Sequence, residues 1–452
     1  MSDEREAFVL IGAGSTVFTP GLLTDLVRSP EFQEMTVRLV DTVPESAEVM
    51  AALGRRIAAE HGSGLRVEAV GNRREALRGA RFVTTVIAVG SADGWRRDLE
   101  IPERFGVRQT VGDSVGPGGV LRALRHVPEL VAIGEDIADV APGATLFNYS
   151  NPLSANVRAV IRETGVRAVG LCHGTMHTKT ALAGALQIDE DAVFATFAGL
   201  NHLSWLLDLR TADRDLYPQL RALVEQQAGD ADAASDWSEG PQAPVSADLL
   251  RTFGLYPAPG DRHVAEFFAD YLTTAPGDDL RWGLQAGLDA TRQYIDEKSM
   301  LWDRLRSLAD GSLPLDAPEA AEAERLVPIT AAIRSGRGHL ELAVNLPNHG
   351  LVSNLPDAAV VEVPAVIGAE GIRGVAVGAL PDGIAAVLTA RALQQELTVD
   401  AAVRGDRALA LQALALDPLV PDRATAVAIL DAAVAADPVG MSAFTDRARA
   451  AA

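Results

Sequence analysis

The chain has 452 residues, more than one hydrophobic core of ordinary size holds, so we expect two domains, or one domain with a large second lobe. Its formal net charge of -21 argues against nucleic acid and anionic membranes as partners, because both repel an acidic surface. The single cysteine excludes an intramolecular disulfide, and the sequence predicts neither a signal peptide nor a membrane-spanning run, so we expect a cytoplasmic protein.

The first half of the chain alternates strand-like apolar runs with helical stretches. Predicted strands cover residues 8–12, 37–41, 81–89, 143–148 and 168–172, and predicted helices cover 18–27, 45–59 and 121–140. Strands that alternate with helices are typical of a parallel sheet with helices on both faces. The sequence therefore predicts an α/β fold, with a Rossmann-type doubly wound sheet forming an NAD-binding domain over residues 1–196.

From about residue 197 the pattern changes, and we expect an α+β domain over residues 197–452 that serves substrate binding and oligomerisation. Residues 226–247 are rich in Ala, Asp, Ser and Gly and predict an irregular or mobile connection. Helices are predicted over 280–308, over 320–335 and from 382 onward, and strands over 204–209, 341–345, 360–363 and 372–379.

A glycine turn, Gly-Ala-Gly-Ser at residues 12–15, follows the first predicted strand and opens the first helix. Such a turn lets the backbone approach a pyrophosphate, which the helix N-terminus attracts. Asp41 ends the second strand, where a carboxylate bonds ribose hydroxyls and repels the extra phosphate of NADP. Val17 replaces the third glycine of the usual pattern. The predicted NAD-binding residues are Gly12, Gly14, Ser15 and Asp41.

Cys172 follows another predicted strand, at the edge where α/β sheets gather their ligands. His202 lies 30 residues further on (202 minus 172). A lone cysteine is usually a small buried hydrophobe, so neither residue alone predicts a metal. If the two side chains meet, a thiolate and an imidazole favour zinc. From the residues alone, a metal site and two ordinary side chains both remain open.

Several stretches match, in order, the motifs of one known family. They read IGAGSTVF at 11–18, QTVGDSVGPGGVLRALRHVP at 109–128, NYSNP at 148–152, GLCHG at 170–174, AGLNH at 198–202, DRHVAEF at 261–267, NLPNHGLVSNLP at 345–356, VEV at 361–363 and ALP at 379–381. The chain thereby resembles glycoside hydrolase family 4, the NAD- and metal-dependent glycosidases, in its α-galactosidase-like branch. These enzymes are an exception to hydrolysis by two carboxylates.

The resemblance implies that the metal is Mn²⁺ rather than zinc, and that Cys172 and His202 bind it. It also implies that NAD is a recycled cofactor and that the protein is a homodimer or homotetramer. Asn151 resembles the substrate-binding asparagine of the family, although the following Pro152 also fits an ordinary turn.

The resemblance further implies a redox route to cleavage of the glycosidic bond. The sugar is oxidised at C3, the C2 proton is removed, the C1 substituent is eliminated, water adds, and C3 is reduced again. Phe267 stands where many members have a tyrosine base, so Asp261 is predicted as the base and His263 as the second choice, with a loop or capping role open for each. His173 is predicted to contact the substrate and protonate the leaving oxygen.

The substrate is predicted from two parts of the chain. Asp113 and Arg122 lie in the glycine-rich match and are expected to face the substrate, with a helix cap and a solvated charge as the alternatives. The pair at residues 173–174 reads His-Gly, which resembles α-galacturonidases, whereas His-Ser resembles α-galactosidases. We therefore expect a non-phosphorylated α-galacturonide or α-galactoside.

Two other functions remain open at this point. An NAD-dependent sugar or hydroxyacid dehydrogenase, related in fold to lactate and malate dehydrogenases, would release NADH stoichiometrically. A non-catalytic dinucleotide-binding protein would need no metal at all.

Overall fold

The computed structural model describes residues 5–227, 240–273, 279–315 and 325–445. Strands among these residues form one sheet. They are β1 (Ala7–Ile11), β2 (Thr36–Val40), β3 (Arg66–Ala69), β4 (Ala80–Thr85), β5 (Thr145–Asn148), β6 (Arg167–Gly170), β7 (Phe194–Leu200), β8 (Leu203–Arg210), β9 (Tyr256–Ala258), β10 (His339–Pro347), β11 (Val360–Gly368) and β12 (Gly371–Gly374).

Helices cover both faces of this sheet. They are α1 (Phe18–Arg28), α2 (Pro44–Glu60), α3 (Arg73–Leu77), α4 (Ser91–Glu103), α5 (Gly116–Val140), α6 (Leu153–Thr164), α7 (Gly174–Leu186), α8 (Tyr217–Gln227), α9 (Pro244–Phe253), α10 (Asp261–Val264), α11 (Ala269–Leu272), α12 (Gly287–Asp310), α13 (Leu326–Ser335), α14 (Asp382–Arg404), α15 (Arg407–Ala415) and α16 (Arg423–Ala436). No helix of the described ranges is long and apolar enough to cross a membrane.

The first six strands are parallel and lie in the order β3-β2-β1-β4-β5-β6. This is the doubly wound order, in which ligands bind where the strand order reverses, between β1 and β4. β1 is buried along its whole length, and the Phe8 ring packs 6.3 Å from Phe32 and 5.9 Å from Phe82 between ring centres. The Rossmann-type α/β fold is confirmed, because continuous apolar runs of this kind fit strands covered on both faces.

An antiparallel half continues the same sheet in the order β6-β10-β11-β7-β8-β9, with β12 beside β11. β10 joins the parallel half by pairing with β6 through Asn345 and Gly170. The predicted domain boundary between residues 196 and 197 falls inside β7. The two parts therefore share one sheet, and their division into domains stays a prediction.

The C-terminal helices pack back onto the parallel half. α14 lies against α5 and α6, and Val399 joins a buried apolar cluster with Leu124 and Ala159. At the edge of this contact Glu396 accepts hydrogen bonds from Arg158 and Arg162, at 2.7 and 2.8 Å. The last third of the chain thus helps to fix the helices that follow the sheet.

Several predicted elements differ from the structure, among them the strand predicted over 81–89, which ends at Thr85. The strand predicted over 372–379 ends at Gly374, because the Val377 N–H donates to the Leu351 carbonyl instead of extending the ladder. The helix predicted from residue 280 begins only at Gly287. The connection predicted over 226–247 lies mostly outside the described residues, and its last part starts α9.

Candidate functional site

The glycine turn follows β1, and its geometry requires glycine. Gly12 has a φ of +87°, and a Cβ there would lie 2.8 Å from the Val86 carbonyl. The Gly14 N–H donates to Asp41 Oδ2 at 2.7 Å, and Asp41 Oδ1 accepts from the Val43 N–H at 2.8 Å. The structure therefore brings Asp41 onto the turn at the carboxyl ends of two neighbouring strands, where a dinucleotide binds in this fold.

Ser15 completes the turn at the start of α1. Its hydroxyl accepts a hydrogen bond from the Phe18 N–H at 3.2 Å, and its own N–H donates to the Gly12 carbonyl at 3.1 Å. The helix N-terminus behind it carries the partial positive charge that attracts a pyrophosphate. The predicted nucleotide-binding residues are thus close together in space.

The side chains of Cys172 and His202 lie next to each other, although the two residues follow different strands of the sheet. Cys172 follows β6, and His202 occupies the turn between β7 and β8 with a left-handed φ of +67°. The thiol is within hydrogen-bonding reach of the buried imidazole. Burial opposes a charge on His202, but the Cys172 sulfur and the Asp113 carboxylate outweigh it and raise the pKa of the imidazole to about 9.

Asp113 links this imidazole to the predicted substrate asparagine. Ser114 Oγ donates to Asp113 Oδ1 at 2.8 Å and lies 2.9 Å from His202 Nδ1. Asn151 Nδ2 donates to Asp113 Oδ2 at 2.8 Å. Burial opposes ionisation of Asp113, but the positive charges of His202 and Arg122 outweigh it and lower the pKa of Asp113 below its usual value, so the carboxylate is ionised. Asp113 therefore faces the site rather than capping a helix.

His263 is the third member of a cluster that the structure forms from Asp113, His202 and His263. The ligand atoms of these three side chains lie within 4.8 Å of one another, and the two histidine ring centres are 4.2 Å apart. His263 Nδ1 is buried and has no hydrogen-bond partner among the described residues. Burial, with the neighbouring His202, lowers the pKa of His263 well below its usual value, so its imidazole is neutral.

Asp261 lies differently from what the sequence predicts for a base. Its carboxylate is buried and accepts hydrogen bonds from the Val245 and Ser246 N–H groups at 2.8 Å and from Ser246 Oγ at 2.6 Å. Both oxygens are therefore engaged at the N-terminus of α9. This placement makes Asp261 a helix-capping residue, and it argues against the prediction that Asp261 is the base.

His173 is the N-cap residue of α7 and directly follows Cys172 in the chain. Its ring is nearly parallel to those of Phe18 and His177, at 6.4 and 6.0 Å between centres. A Cβ at Gly174 would lie 2.6 Å from a Pro259 side-chain carbon. Glycine after His173 is thus favoured by packing, which offers a physical reason for the His-Gly pair besides substrate choice.

Arg122 is tied to the site and is not a solvated surface charge. Its Nε donates to the Asn151 carbonyl at 3.0 Å. One turn later on α5, the buried His126 accepts a hydrogen bond from the Val89 N–H through Nε2 at 3.1 Å. α5 therefore supports both Asn151 and the loop that follows β4.

Two buried carboxyl groups near the site are absent from the sequence predictions. Glu266 accepts hydrogen bonds from the backbone of the glycine-rich segment that holds Asp113. Glu362 accepts from Ser204 Oγ at 2.7 Å and from Asn345 Nδ2 at 2.8 Å, and burial raises its pKa. Both residues lie within motifs that carry the family resemblance, and that is the signal that could have pointed to them.

This fold and this site define a nucleotide-binding α/β protein with a sulfur and imidazole centre at the carboxyl edge of its sheet. The model of the "Family 4 glycosyl hydrolase" matches residues 7–188, and that of the "Family 4 glycosyl hydrolase C-terminal domain" matches residues 197–420. The chain belongs to glycosyl hydrolase family 4, and it is a glycosidase by family.

Curated relatives are similar over most of the chain. An α-galacturonidase of Bacillus subtilis is 34% identical over 429 residues, which cover 91% of this chain and 92% of the relative. An α-galactosidase of Rhizobium meliloti is 31% identical over 427 residues, which cover 91% of this chain and 83% of the relative.

Solved structures share the architecture. The crystal structure of lplD from Bacillus subtilis superposes with a TM-score of 0.84 at 31% identity, covering 95% of this chain and 99% of the other. A 6-phospho-α-glucosidase from gut microorganisms, in complex with NAD and Mn²⁺, gives 0.82 at 23% identity over 97% and 99%. A lactate dehydrogenase from a deep-sea metagenome library gives 0.52 at 14% identity over 88% and 99%, which shows a shared fold alone.

Proposed function

We propose that the protein is an NAD- and divalent-metal-dependent glycosidase that acts on non-phosphorylated α-galacturonides or α-galactosides. The observation that carries the proposal is the meeting of Cys172 and His202 beside Asp113 and Asn151. These side chains lie at the carboxyl edge of a sheet that also presents the glycine turn. The names of the curated relatives support the choice of sugar.

The turn fits a dinucleotide. A Cβ at Gly12 would fall on the Val86 backbone and one at Gly14 would fall 2.9 Å from Asp41 Oδ2, so both positions require glycine for the close packing of the turn. We propose that Gly12, Gly14 and Ser15 hold the pyrophosphate and that Asp41 binds the ribose hydroxyls. A structural neighbour with this fold is in complex with NAD.

The cluster fits a divalent metal. Together with the neighbouring Cys172, the cluster of Asp113, His202 and His263 offers the sulfur, nitrogen and oxygen donors that such ions take. We propose that Cys172 and His202 bind Mn²⁺. When bound, NAD⁺ would supply a hydride acceptor for the sugar. The metal would supply Lewis-acid stabilisation of negative charge on the sugar oxygens.

The remaining residues then have separate roles in the proposed reaction. Asn151 and Asp113 are hydrogen-bonded to each other and offer amide and carboxylate groups to sugar hydroxyls. Of the two side chains predicted as the base, only His263 joins the cluster with Asp113 and His202, so we assign proton removal at C2 to His263. His173, next to Cys172, is proposed to protonate the leaving oxygen.

A uronate substrate requires a cation close to the sugar. Arg122 is fixed by its hydrogen bond to the Asn151 carbonyl. It lies close enough to Asp113 for its positive charge to lower the pKa of that carboxylate. A guanidinium presents several donors in a fixed plane, which matches a carboxylate. We propose that Arg122 recognises the carboxylate of an α-galacturonide. The homo-oligomeric state and the cytoplasmic location stay predictions.

A panel of chromogenic α-galacturonides, α-galactosides and their 6-phosphates, assayed with and without NAD⁺ and Mn²⁺, tests the function. We expect hydrolysis of a non-phosphorylated substrate only when both cofactors are present, with no net NADH. Stoichiometric NADH formation without release of the aglycone would favour a dehydrogenase. Preference for a phosphorylated glycoside would contradict the proposed substrate class.

A further inference from the structure

Glu266 is a buried carboxyl group that the proposed reaction does not use. It lies in the short turn after α10 and is 1% exposed. Burial raises its pKa to about 7. Its contacts run through a single oxygen, Oε1, so a proton on Oε2 leaves them in place.

The contacts of Glu266 hold the segment formed by residues 109–114. Oε1 accepts hydrogen bonds from the Val111 and Gly112 N–H groups, each at 2.8 Å. Gln109 closes the segment from the other side, since its amide donates to the Val115 carbonyl at 3.0 Å and accepts from the Gly118 N–H at 2.7 Å. The backbone immediately before Asp113 is therefore fixed by Glu266, which is distant in sequence, and by Gln109 of the segment itself.

The far end of this segment carries the contacts to the candidate metal centre. Ser114 Oγ has one proton, which it donates to Asp113. His202 Nδ1, 2.9 Å from that oxygen, must then carry a hydrogen and donate it. With a hydrogen held on Nδ1, Nε2 is the nitrogen left to give up its proton and ligate a metal.

Glu266 is itself held from the C-terminal helices. Arg391 on α14 donates to the Glu266 carbonyl at 3.0 Å and to Asp417 at 2.7 Å. Its guanidinium lies 5.5 Å from the centre of the Phe267 ring. The buried ion pair with Asp417 and this stacking leave Arg391 little freedom to move, so the backbone of Glu266 has a firm support.

We propose that Glu266 is a positioning residue that holds the 109–114 segment and, through Asp113 and Ser114, sets the orientation and tautomer of His202 for metal binding. The inference rests on the proposed function, in which His202 binds the metal. It adds that metal affinity depends on a side chain that does not touch the ion.

The test measures Mn²⁺ binding by titration calorimetry on the full-length protein, with Mn²⁺ as the probe and NAD⁺ present. Glu266→Ala should weaken Mn²⁺ binding about tenfold or more, the range found for residues that orient metal ligands. Glu266→Gln should bind Mn²⁺ close to wild type, because its amide oxygen accepts the same two N–H groups. In an Asp113→Ala background, Glu266→Ala should add little, because the contact through which it acts is gone.

A matched control separates positioning from loss of stability. Glu341 is also 1% exposed, and its carboxylate is bound by Arg325 at 2.7 Å, away from the 109–114 segment. Glu341→Ala should lower the melting temperature and leave the Mn²⁺ affinity unchanged. If Glu266→Ala does not fold, Glu266→Asp, which is one methylene too short to reach both N–H groups, should show the loss that Glu266→Gln does not.

The outcomes are distinct. Wild-type Mn²⁺ affinity in Glu266→Ala, or in Glu266→Asp where the alanine variant does not fold, would overturn the positioning role. A loss in Glu266→Gln as large as in Glu266→Ala would also overturn it, since charge rather than support would then matter. A wild-type protein that binds no Mn²⁺ would overturn the proposed function itself.

Discussion

Ser114 Oγ lies 2.9 Å from His202 Nδ1 and donates a hydrogen bond to Asp113 Oδ1, so the hydroxyl bridges an imidazole and a carboxylate. Bridges of this kind orient metal-binding histidines and fix which ring nitrogen is free. The bridge connects the glycine-rich segment before α5 with the turn between β7 and β8.

Ser114→Ala should weaken the binding of Mn²⁺ by roughly tenfold to a hundredfold. The substitution removes the acceptor for His202 Nδ1 while changing little volume. Mn²⁺ titration followed by electron paramagnetic resonance measures the effect. Ser154→Ala on α6 removes another buried hydroxyl and serves as the control. Equal affinity in both variants would show that Ser114 does not orient the ligand.

Cys172→Ser should abolish activity and metal retention. A hydroxyl is a weaker ligand than a thiolate for the proposed ion, and Cys172 is the only cysteine of the chain. NAD⁺ binding should stay close to wild type, because Gly12 and Asp41 lie at other strand ends. Metal content after gel filtration and NAD⁺ fluorescence titration measure the two properties. Full activity of this variant in metal-free buffer would contradict the proposed metal site.

The parallel half of the sheet could be predicted because its strands carry a direct signal. β1 is an unbroken apolar run, and β4 and β5 have buried apolar residues at their centres, so burial on both faces is visible in the sequence. β3 was not predicted, because this short strand at the sheet edge has exposed Arg66 and Glu68. The extent of β12 was overestimated, because the sequence does not reveal where the chain leaves the ladder.

The candidate site could be predicted only in part. Gly12, Asp41 and Cys172 follow predicted strands, and the carboxyl ends of parallel strands share one edge. The contact of Glu266 with Gly112 spans 154 positions, and no local pattern encodes it. The partner of Asp261 is the N-terminus of α9, which begins in a part of the chain predicted to be irregular, so its capping role could not be foreseen.

Asp261→Asn should reduce stability more than catalysis. An amide can accept with only one atom, so one of the N–H groups at the start of α9 loses its acceptor, at a cost of about 1–3 kcal/mol in the free energy of unfolding. Urea denaturation measures this loss, and kcat at a permissive temperature should fall only modestly. A stable Asp261→Asn variant without turnover would restore Asp261 as the base.

Arg122→Gln should discriminate between the two candidate sugars. Losing a charge-assisted hydrogen bond to a carboxylate costs about 1.5–3 kcal/mol, or roughly tenfold to a hundredfold in kcat/KM for an α-galacturonide. An α-galactoside lacks the carboxylate and should be less affected. Arg167→Gln, at the opposite end of β6, is the control. The same loss for both sugars would contradict recognition of the carboxylate by Arg122.

Hydrolysis in D₂O should place deuterium at C2 of the product sugar. The proposed route oxidises C3, which makes the C2 proton acidic, and His263 removes that proton. If His263 exchanges its proton with solvent before water adds back, deuterium returns to C2. Proton nuclear magnetic resonance of the product measures the incorporation, and a substrate deuterated at C2 should lose its label in H₂O.

His263→Gln should stop both the exchange and the hydrolysis, because a carboxamide cannot accept the proton. The same variant should still bind NAD⁺, whose proposed site follows β1 and β2 and does not contain His263. A direct displacement at C1 never breaks the bond between C2 and its hydrogen. Therefore, full retention of the C2 hydrogen in wild-type product, measured where the base is known to exchange with solvent, would exclude the redox route. Turnover of His263→Gln with normal exchange would instead leave the route intact and assign the proton transfer to another residue.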